Sequence, residues 1–285
     1  MHRWQVHAEQ RVIFGPEAAS PTAFKAVEPS WSLLEDVNDV YLTWPASEKC
    51  FMPWKGHASA VTDHAAVMTE TRRILGSGHY KVEETKVKLD RSRLRGAPHR
   101  CIRLGDLPIM IIRAEKPTTP CRVRLLQCDA LEAAEALSLE HESQTLVLDF
   151  ASGSNPGGGA KSNQQGTQEE DMCRRSSLLA TLEQQEYPLP TGGLYAPDVC
   201  VFRGPGVSGY PLIAKPFWVS VLACEMPNCG DMGPKERAFV AQKIRQVLHV
   251  ALQQGHSAVV LGAWGCGAFG NDPKIMASVF KARTH

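Results

Sequence analysis

Long apolar runs are missing. None of the hydrophobic stretches in the 285 residues approaches the ~18–20 residues of a bilayer span, so no membrane role is expected. Surplus charge is missing too: 31 Lys and Arg face 30 Asp and Glu, a net +1. No global field then favours DNA, RNA or an anionic membrane, direct nucleic-acid binding is not expected, and any recognition of an anion must be local. Met1-His-Arg-Trp-Gln-Val-His7 lacks the apolar centre of a secretory signal. The nine cysteines are odd in number and include no CxxC; they read as buried thiols of a reducing compartment, cytoplasmic or nuclear. Cys224 and Cys229 would need a third ligand to hold zinc, and no second Cys or His pair follows at regular spacing. The ten histidines form no HExxH, and Ser152 and Ser154 sit in no GxSxG elbow. Gly265-Cys-Gly267-Ala-Phe-Gly270 has dinucleotide-loop spacing, but it comes late and no acidic residue follows at the distance needed for a ribose. Neither a metal nor a cofactor is expected.

What the chain does have is concentrated between Thr145 and Leu182. Thr145–Phe150 is short and nearly all apolar, which suits a central strand covered on both faces. From Ala151 to Thr167 the composition turns to Gly, Ser, Asn, Gln and Ala, with Gly157, Gly158 and Gly159 directly after Pro156. Such a loop lets backbone approach a ligand closely, and successive N–H groups can converge on an anion such as a diphosphate. Gln168-Glu169-Glu170-Asp171 then opens a helix whose apolar positions are Met172, Leu178, Leu179 and Leu182. Acidic residues in a first turn are favoured by the helix dipole, so taken alone Glu169 and Glu170 read as first-turn charges, and it is their spacing from the three glycines that points to site carboxyls. Arg174 and Arg175 read as solvated or paired helix residues.

The rest of the chain frames this stretch. Residues 1–58 have weak periodicity, with Pro45–Gly56 as a turn-rich linker, and are expected to be an irregular N-terminal extension. Residues 59–285 are expected to form one domain. A helix over 59–75 stops at Gly76 and Gly78; Lys81–Leu89 alternates as a strand; His99–Asp106, Pro108–Arg113 and Cys121–Cys128 read as strand pieces; Asp129 caps a helix to about Leu139. Strands follow at Asp198–Phe202 and Phe217–Ala223. Gly233–Gln254 is an amphipathic helix with Phe239, Val240, Ile244, Val247, Leu248 and Ala251. Ser257–Ala263 is a last strand, running into a second glycine-rich loop, Trp264–Asn271. Strand–helix–strand order implies an α/β sheet, whose ligands lie at the C-terminal edge of the strands, where two such loops would clasp one ligand.

Gly157-Gly-Gly159, eight residues, then Gln168-Glu169-Glu170 resembles the signature of the poly(ADP-ribose) glycohydrolases, and the flanking residues look most like the bacterial-type branch. Asp149-Phe-Ala-Ser-Gly-Ser-Asn155 is similar to its strand-to-loop passage, although that branch often has Asn at the position of Asp149. Gln168–Ser176, Tyr195-Ala-Pro-Asp198-Val-Cys-Val-Phe-Arg203 and Gly262-Ala-Trp-Gly-Cys-Gly-Ala-Phe269-Gly-Asn271 also match. The resemblance spans roughly Ala60–Ala282. It implies an α/β, macrodomain-like mixed sheet flanked by helices, and metal-independent hydrolysis of the ribose–ribose O-glycosidic bonds of poly(ADP-ribose), releasing ADP-ribose. Partners would be poly(ADP-ribose) or ADP-ribosylated proteins.

By the same resemblance Glu170 is the acid/base. Glu169 and Asn155 contact the distal ribose; Gly157, Gly158 and Gly159, with Gly265, Cys266 and Gly267, hold the diphosphate; Ala268 belongs to the same loop. Phe269 packs on that ribose or on the core, and Gln168 positions its loop. Asp198 and Arg203 match the family and read equally as structural. One carboxyl serves as acid and base in turn only if it is protonated when substrate binds; burial raises its pKa and a helix N-terminus lowers it. The family continues past the helix that starts at Asp272 to another strand, so a chain ending at His285 is expected to leave a sheet edge exposed. The rival reading is a reader module that binds ADP-ribose without cutting it; Gln168-Glu169-Glu170 favours the enzyme.

Overall fold

The computed structural model describes residues 39–43, 63–105, 122–126, 128–140, 144–164, 166–230 and 232–282. Its strands are β1 (Asp39–Thr43), β2 (His79–Val82), β3 (Thr85–Lys88), β4 (Ile102–Arg103), β5 (Arg122–Leu126), β6 (Leu146–Asp149), β7 (Leu194–Arg203), β8 (Leu212–Ala223) and β9 (Ala258–Leu261). Its helices are α1 (His64–Ser77), α2 (Arg91–Gly96), α3 (Ala130–Glu140), α4 (Gln168–Arg175), α5 (Leu178–Leu182), α6 (Pro234–Gln253) and α7 (Pro273–Ala282). Contacts divide the chain into two compact units. One comprises Met52–Asp106 and Val147–Glu225, the other Met1–Phe51, Leu107–Leu146 and Met226–His285.

In the first unit the strands run in the order β4, β7, β8, β6. β7 is antiparallel to both β4 and β8, with Tyr195 opposite Leu222 and Cys200 opposite Trp218. All four residues of β6 are buried, which is why Leu146-Val-Leu148 reads as an unbroken apolar run. The N–H of Cys224 donates to the carbonyl of Asp149 at 3.1 Å. α1 begins where Asp63 accepts the Ala66 N–H at 3.0 Å and stops at Gly78, whose φ of 71° lets its N–H return to Ile74 O. Its Ile74 joins Tyr80, Val87, Leu89, Cys200 and Phe202 in one core cluster; each large apolar side chain so buried contributes about 1.5–3 kcal/mol.

Three expectations for this unit need correction. Lys81–Leu89 is not one strand but the hairpin β2–β3, paired antiparallel and turned at Glu83, which takes a φ of 52°; the two glutamates at the tip interrupt the alternation. His99–Asp106 is mostly not extended: a 3-10 turn over Ala97–Arg100 opens with Pro98, and only Ile102–Arg103 pair as a strand. The single helix expected after the glycine loop is two, because Ser176 is extended and bridges Val201. There Ser177 N–H donates to Cys200 O at 2.9 Å and Cys200 N–H donates to Ser177 Oγ at 2.9 Å, bonds to β7 that a continuous helix would forfeit. Pro108–Arg113 and Pro45–Gly56 lie outside the described residues.

The second unit has β1 between β9 and β5, parallel to both. β1 falls inside the stretch expected to be irregular. Its Val40, Tyr41 and Leu42 are good strand formers, but five residues are too few to stand out among the polar residues and prolines around them. α3 packs on β9 and β1 and is capped as expected, Asp129 Oδ1 accepting from Leu131 N–H at 2.8 Å and Glu132 N–H at 2.9 Å. α6 buries Val240, Ile244, Val247, Leu248 and Ala251. Phe239, expected on that face, is exposed and lies beside the ammonium of Lys243. Among the described residues no helix is long and apolar enough to cross a membrane.

Two ion-pair centres brace the first unit. Asp198 accepts from Arg93 and Arg100. Arg203, buried to 4 % exposure, donates to Glu70 Oε2 at 2.6 Å, Thr71 Oγ1 at 3.0 Å and Tyr210 O at 2.9 Å, tying β7 to α1. Of the two readings of these residues the structural one fits their contacts. Arg203→Ala is expected to lower stability by about 2–3 kcal/mol in urea melts, because a charged donor serving several acceptors is lost. Lys recovers only part of this, since one ammonium cannot reproduce the guanidinium fork.

Candidate active site

The site is built on the exit from β6. Gln168, the first residue of α4, acts like a rung of a neighbouring strand: its Oε1 accepts from Phe150 N–H and its Nε2 donates to Leu148 O, both at 2.8 Å. Its amide is thereby committed to holding the helix start against the strand end. Thr167 stands just before, and Thr167-x-x-Glu170 has the spacing of a capping box. The Thr167 N–H and hydroxyl both donate to Glu170 Oε2, at 2.6 and 2.8 Å, while Gly159 N–H donates to Oε1 at 2.9 Å. Glu169 Oε2 accepts from Ser152 N–H at 2.8 Å, and the carboxyl also bonds the Gly157 N–H.

The glycines are required by this arrangement. Gly158 and Gly166 have φ of 52° and 77°. A Cβ on Gly158 would run into Glu170 Oε1 and crowd Glu169 Oε2, and one on Gly166 would collide with the Glu170 side chain. The loop then closes through turns in which Gly158 N–H donates to Asn155 O, Ala160 N–H to Gly157 O and Ser162 N–H to Gly159 O. The N–H groups of Gly157, Gly158 and Gly159, expected to face a diphosphate, are therefore engaged by Glu169, Asn155 O and Glu170 in this structure. The Asn155 side chain is exposed, touching Ser154 Oγ at 3.3 Å.

Arg174 and Arg175 are buried rather than solvated. Arg174 donates to Gln164 O at 2.6 Å and so clamps the far half of the loop. Arg175 pairs with Asp171 at 3.0 Å.

The two adjacent glutamates are in different electrostatic states. Burial pushes the Glu170 carboxyl upward, but the donors from Gly159 and Thr167 together outweigh it, and its pKa lies below the ordinary value. Glu169 is held well above the ordinary range, by burial first and then by the neighbouring Asp149 charge. Asp149 is itself raised, by complete burial and then by Glu170. The two neighbouring carboxyls are thus pushed in opposite directions, Glu170 toward its ionised form and Glu169 toward its protonated form. Such a pair can act as base and hydrogen-bond donor toward a sugar hydroxyl.

In the second unit the Gly262–Asn271 loop is organised by Asn271, which the sequence reading named only as part of a motif. Its Nδ2 donates to Pro227 O and its Oδ1 accepts from Cys229 N–H, both at 2.9 Å, and its N–H donates to Gly265 O at 3.0 Å. Gly265, at φ 77°, abuts Met226 and Asn271, where no Cβ fits. Trp264 is fully buried beneath Lys243. Cys266 is a buried thiol pushed up to about 11 by desolvation, hence unreactive at neutral pH. Gly267 and Ala268 are exposed, and Phe269 is half-buried.

Among the described residues no group of three His, Cys, Asp or Glu side chains is arranged to hold a metal ion. Sequence reasoning gave no site role to Thr167, Ser152, Asp149, Tyr187 or Arg174. Only Thr167 had a readable signal, its capping-box spacing. The clashes above separate the glycines: Gly158→Ala and Gly166→Ala are expected to melt several degrees lower, each by about 1–3 kcal/mol, whereas Gly159→Ala, whose Cβ makes only ordinary contacts at 3.6 Å, melts like the wild type.

Comparison with known proteins bears on this arrangement. Residues 68–204 match the family model of the microbial-type PARG (poly(ADP-ribose) glycohydrolase) catalytic domain, a range that includes the glycine loop and both glutamates but not the 262–271 loop. A solved poly(ADP-ribose) glycohydrolase from Thermomonospora curvata is similar at 29% identity over 76% of this chain and 85% of that one, with a TM-score of 0.68. The same protein bound to the inhibitor ADP-HPD is similar at 29% identity over 76% and 84%, with a TM-score of 0.65. Comparison with curated proteins found no match. With its macrodomain-like α/β fold, a mixed sheet flanked by helices, the chain belongs to the microbial-type poly(ADP-ribose) glycohydrolase family of enzymes.

Proposed function

We propose that this chain hydrolyses the ribose–ribose O-glycosidic bonds of poly(ADP-ribose), releasing ADP-ribose, with Glu170 as acid and base in turn. The observation that carries the reading is the placement of Glu170: a carboxylate held on both oxygens by loop and cap donors and covered by a glycine that leaves no room for a side chain. The family supplies the substrate class, and the neighbour from Thermomonospora curvata binds an ADP-containing inhibitor.

Cleavage of such a bond develops positive charge at the anomeric carbon and needs a proton on the departing oxygen. In the resting protein Glu170 is ionised, the form that suits the base and the stabiliser of that charge. An anionic substrate covering it removes water and adds negative charge, both of which raise a carboxyl's pKa, so Glu170 gains its proton on binding and returns it to the departing oxygen. It then takes a proton from the incoming water. Glu169, un-ionised, orients the distal ribose through its hydroxyls, and the exposed Asn155 amide reaches the same sugar. Gly157–Gly159 line the substrate, and Gln168 holds the loop.

The test is a hydrolysis assay on poly(ADP-ribose) beside calorimetric binding of ADP-ribose. Wild type is expected to cut. Glu170→Gln is expected to bind within a fewfold of wild type and to lose about 10²–10⁴-fold in turnover, with a thermal melt to show that it is folded. Wild-type binding without cleavage would establish a reader module instead.

A further inference from the structure

Below the glutamates lies a set of polar atoms that the proposed cleavage does not use. Asp149 closes β6, is completely buried, and neither of its carboxyl oxygens has a hydrogen-bond partner. The second oxygen of Glu169, Oε1, is buried and unpartnered, as is the Tyr187 hydroxyl. Leaving one such atom unpaired destabilises a fold by about 1–3 kcal/mol, and an ionised one by more. Three of these oxygens belong to two carboxyls, the charge of Asp149 disfavours that of Glu169, and one proton held by the pair removes one of the two buried charges. We propose that Asp149 and Glu169 hold a single proton between them in the resting protein, and that Asp149 is thereby a positioning residue that keeps Glu169 uncharged beside ionised Glu170. The second half of this proposal rests on the cleavage reading above; the shared proton does not.

The groups acting on the pair agree with it. The Glu170 charge acts on both carboxyls and the Asp149 charge on Glu169, while the pair in turn raises the buried Cys173 thiol and the Tyr187 hydroxyl, which Arg174 and Arg103 act to lower. Burial and the negative neighbours all favour keeping the proton. Only the Ser152 and Gly157 N–H groups on Glu169 oppose it. A carboxylic acid there is also a donor, so Glu169 can give a hydrogen bond to a sugar hydroxyl that a carboxylate could only receive.

Asp149→Asn tests this in the full chain. Asn has the shape of a neutral Asp and a donor of its own but cannot share a proton, and it removes a charge that holds the Glu169 proton in place. Infrared difference spectra across pH follow the carbonyl stretch of a buried carboxylic acid and need no activity. Wild type is expected to keep that band through neutral pH, and Asp149→Asn to lose it at least about one pH unit lower. Glu169→Gln, which removes the other half of the pair, is expected to shift the band as well and serves if Asp149→Asn does not fold. In the cleavage assay the alkaline limb of kcat for Asp149→Asn moves down with the band, while KM at pH 6 is unchanged. No such band in wild type at neutral pH, or loss at the same pH in wild type and variant, would overturn the shared proton. A shifted band with an unshifted kcat limb would overturn the positioning role alone.

Discussion

Two carboxyls on consecutive residues cannot both be charged cheaply once they are buried. At a separation of ~5 Å and an effective dielectric of ~20, two like charges repel by about 3 kcal/mol, and burial adds to that. The protein resolves the conflict by treating them differently. Glu170, nearer the surface at 9 % exposure, receives three donors; Glu169, at 2 %, meets the like charge of Asp149. The other features of the first unit's site answer to this division: glycines that let the loop lie on the carboxyls, a threonine that caps the helix through Glu170, and an arginine that pins the loop's far half.

The glycine loop looks like an anion cradle because it is one, although the anions it meets in the resting protein are the chain's own side chains. Converging N–H groups favour any negative group within reach. Glu169 and Glu170 have the advantage of being tethered on the same chain, Glu170 only 11 residues beyond Gly159, and no translational freedom is lost in holding them. A diphosphate competes for the same donors only by displacing a carboxylate, and a carboxylate that loses its donors has its pKa raised. In the cleavage proposed above, binding of the substrate's charge and protonation of Glu170 would thus be coupled through the same few N–H groups.

Much of this was legible in the residues. The buried run Leu146–Leu148, the glycines, and the Gln168-Glu169-Glu170 start were visible because each reflects a local demand: burial, positive φ, a helix N-terminus. Other elements were not visible, for reasons that are also physical. The Ser176 break is set by β7, some two dozen residues on, with which Ser177 exchanges bonds; no local signal encodes a partner that distant. β1 is short and stabilised by neighbours on both sides. Arg174 and Arg175 are charged residues on a helix, which are usually solvated, and only the fold reveals that carbonyls and carboxylates wait for them inside.

Asp149 presses the same point from the other direction. By composition it is an anomaly, a charged residue ending an apolar central strand, and a change to Leu would make the strand more regular. Its backbone is ordinary, accepting the Cys224 N–H, so nothing in the ladder calls for a carboxyl. The fold bears the desolvation of Asp149 without a protein donor to offset it. On the proposal above, a group that weakens the strand and serves no backbone contact acts through the carboxyl whose charge it opposes, Glu169. Regular secondary structure accounts for the position of the carboxyl; on the proposal above, the ionisation of its neighbour accounts for its identity.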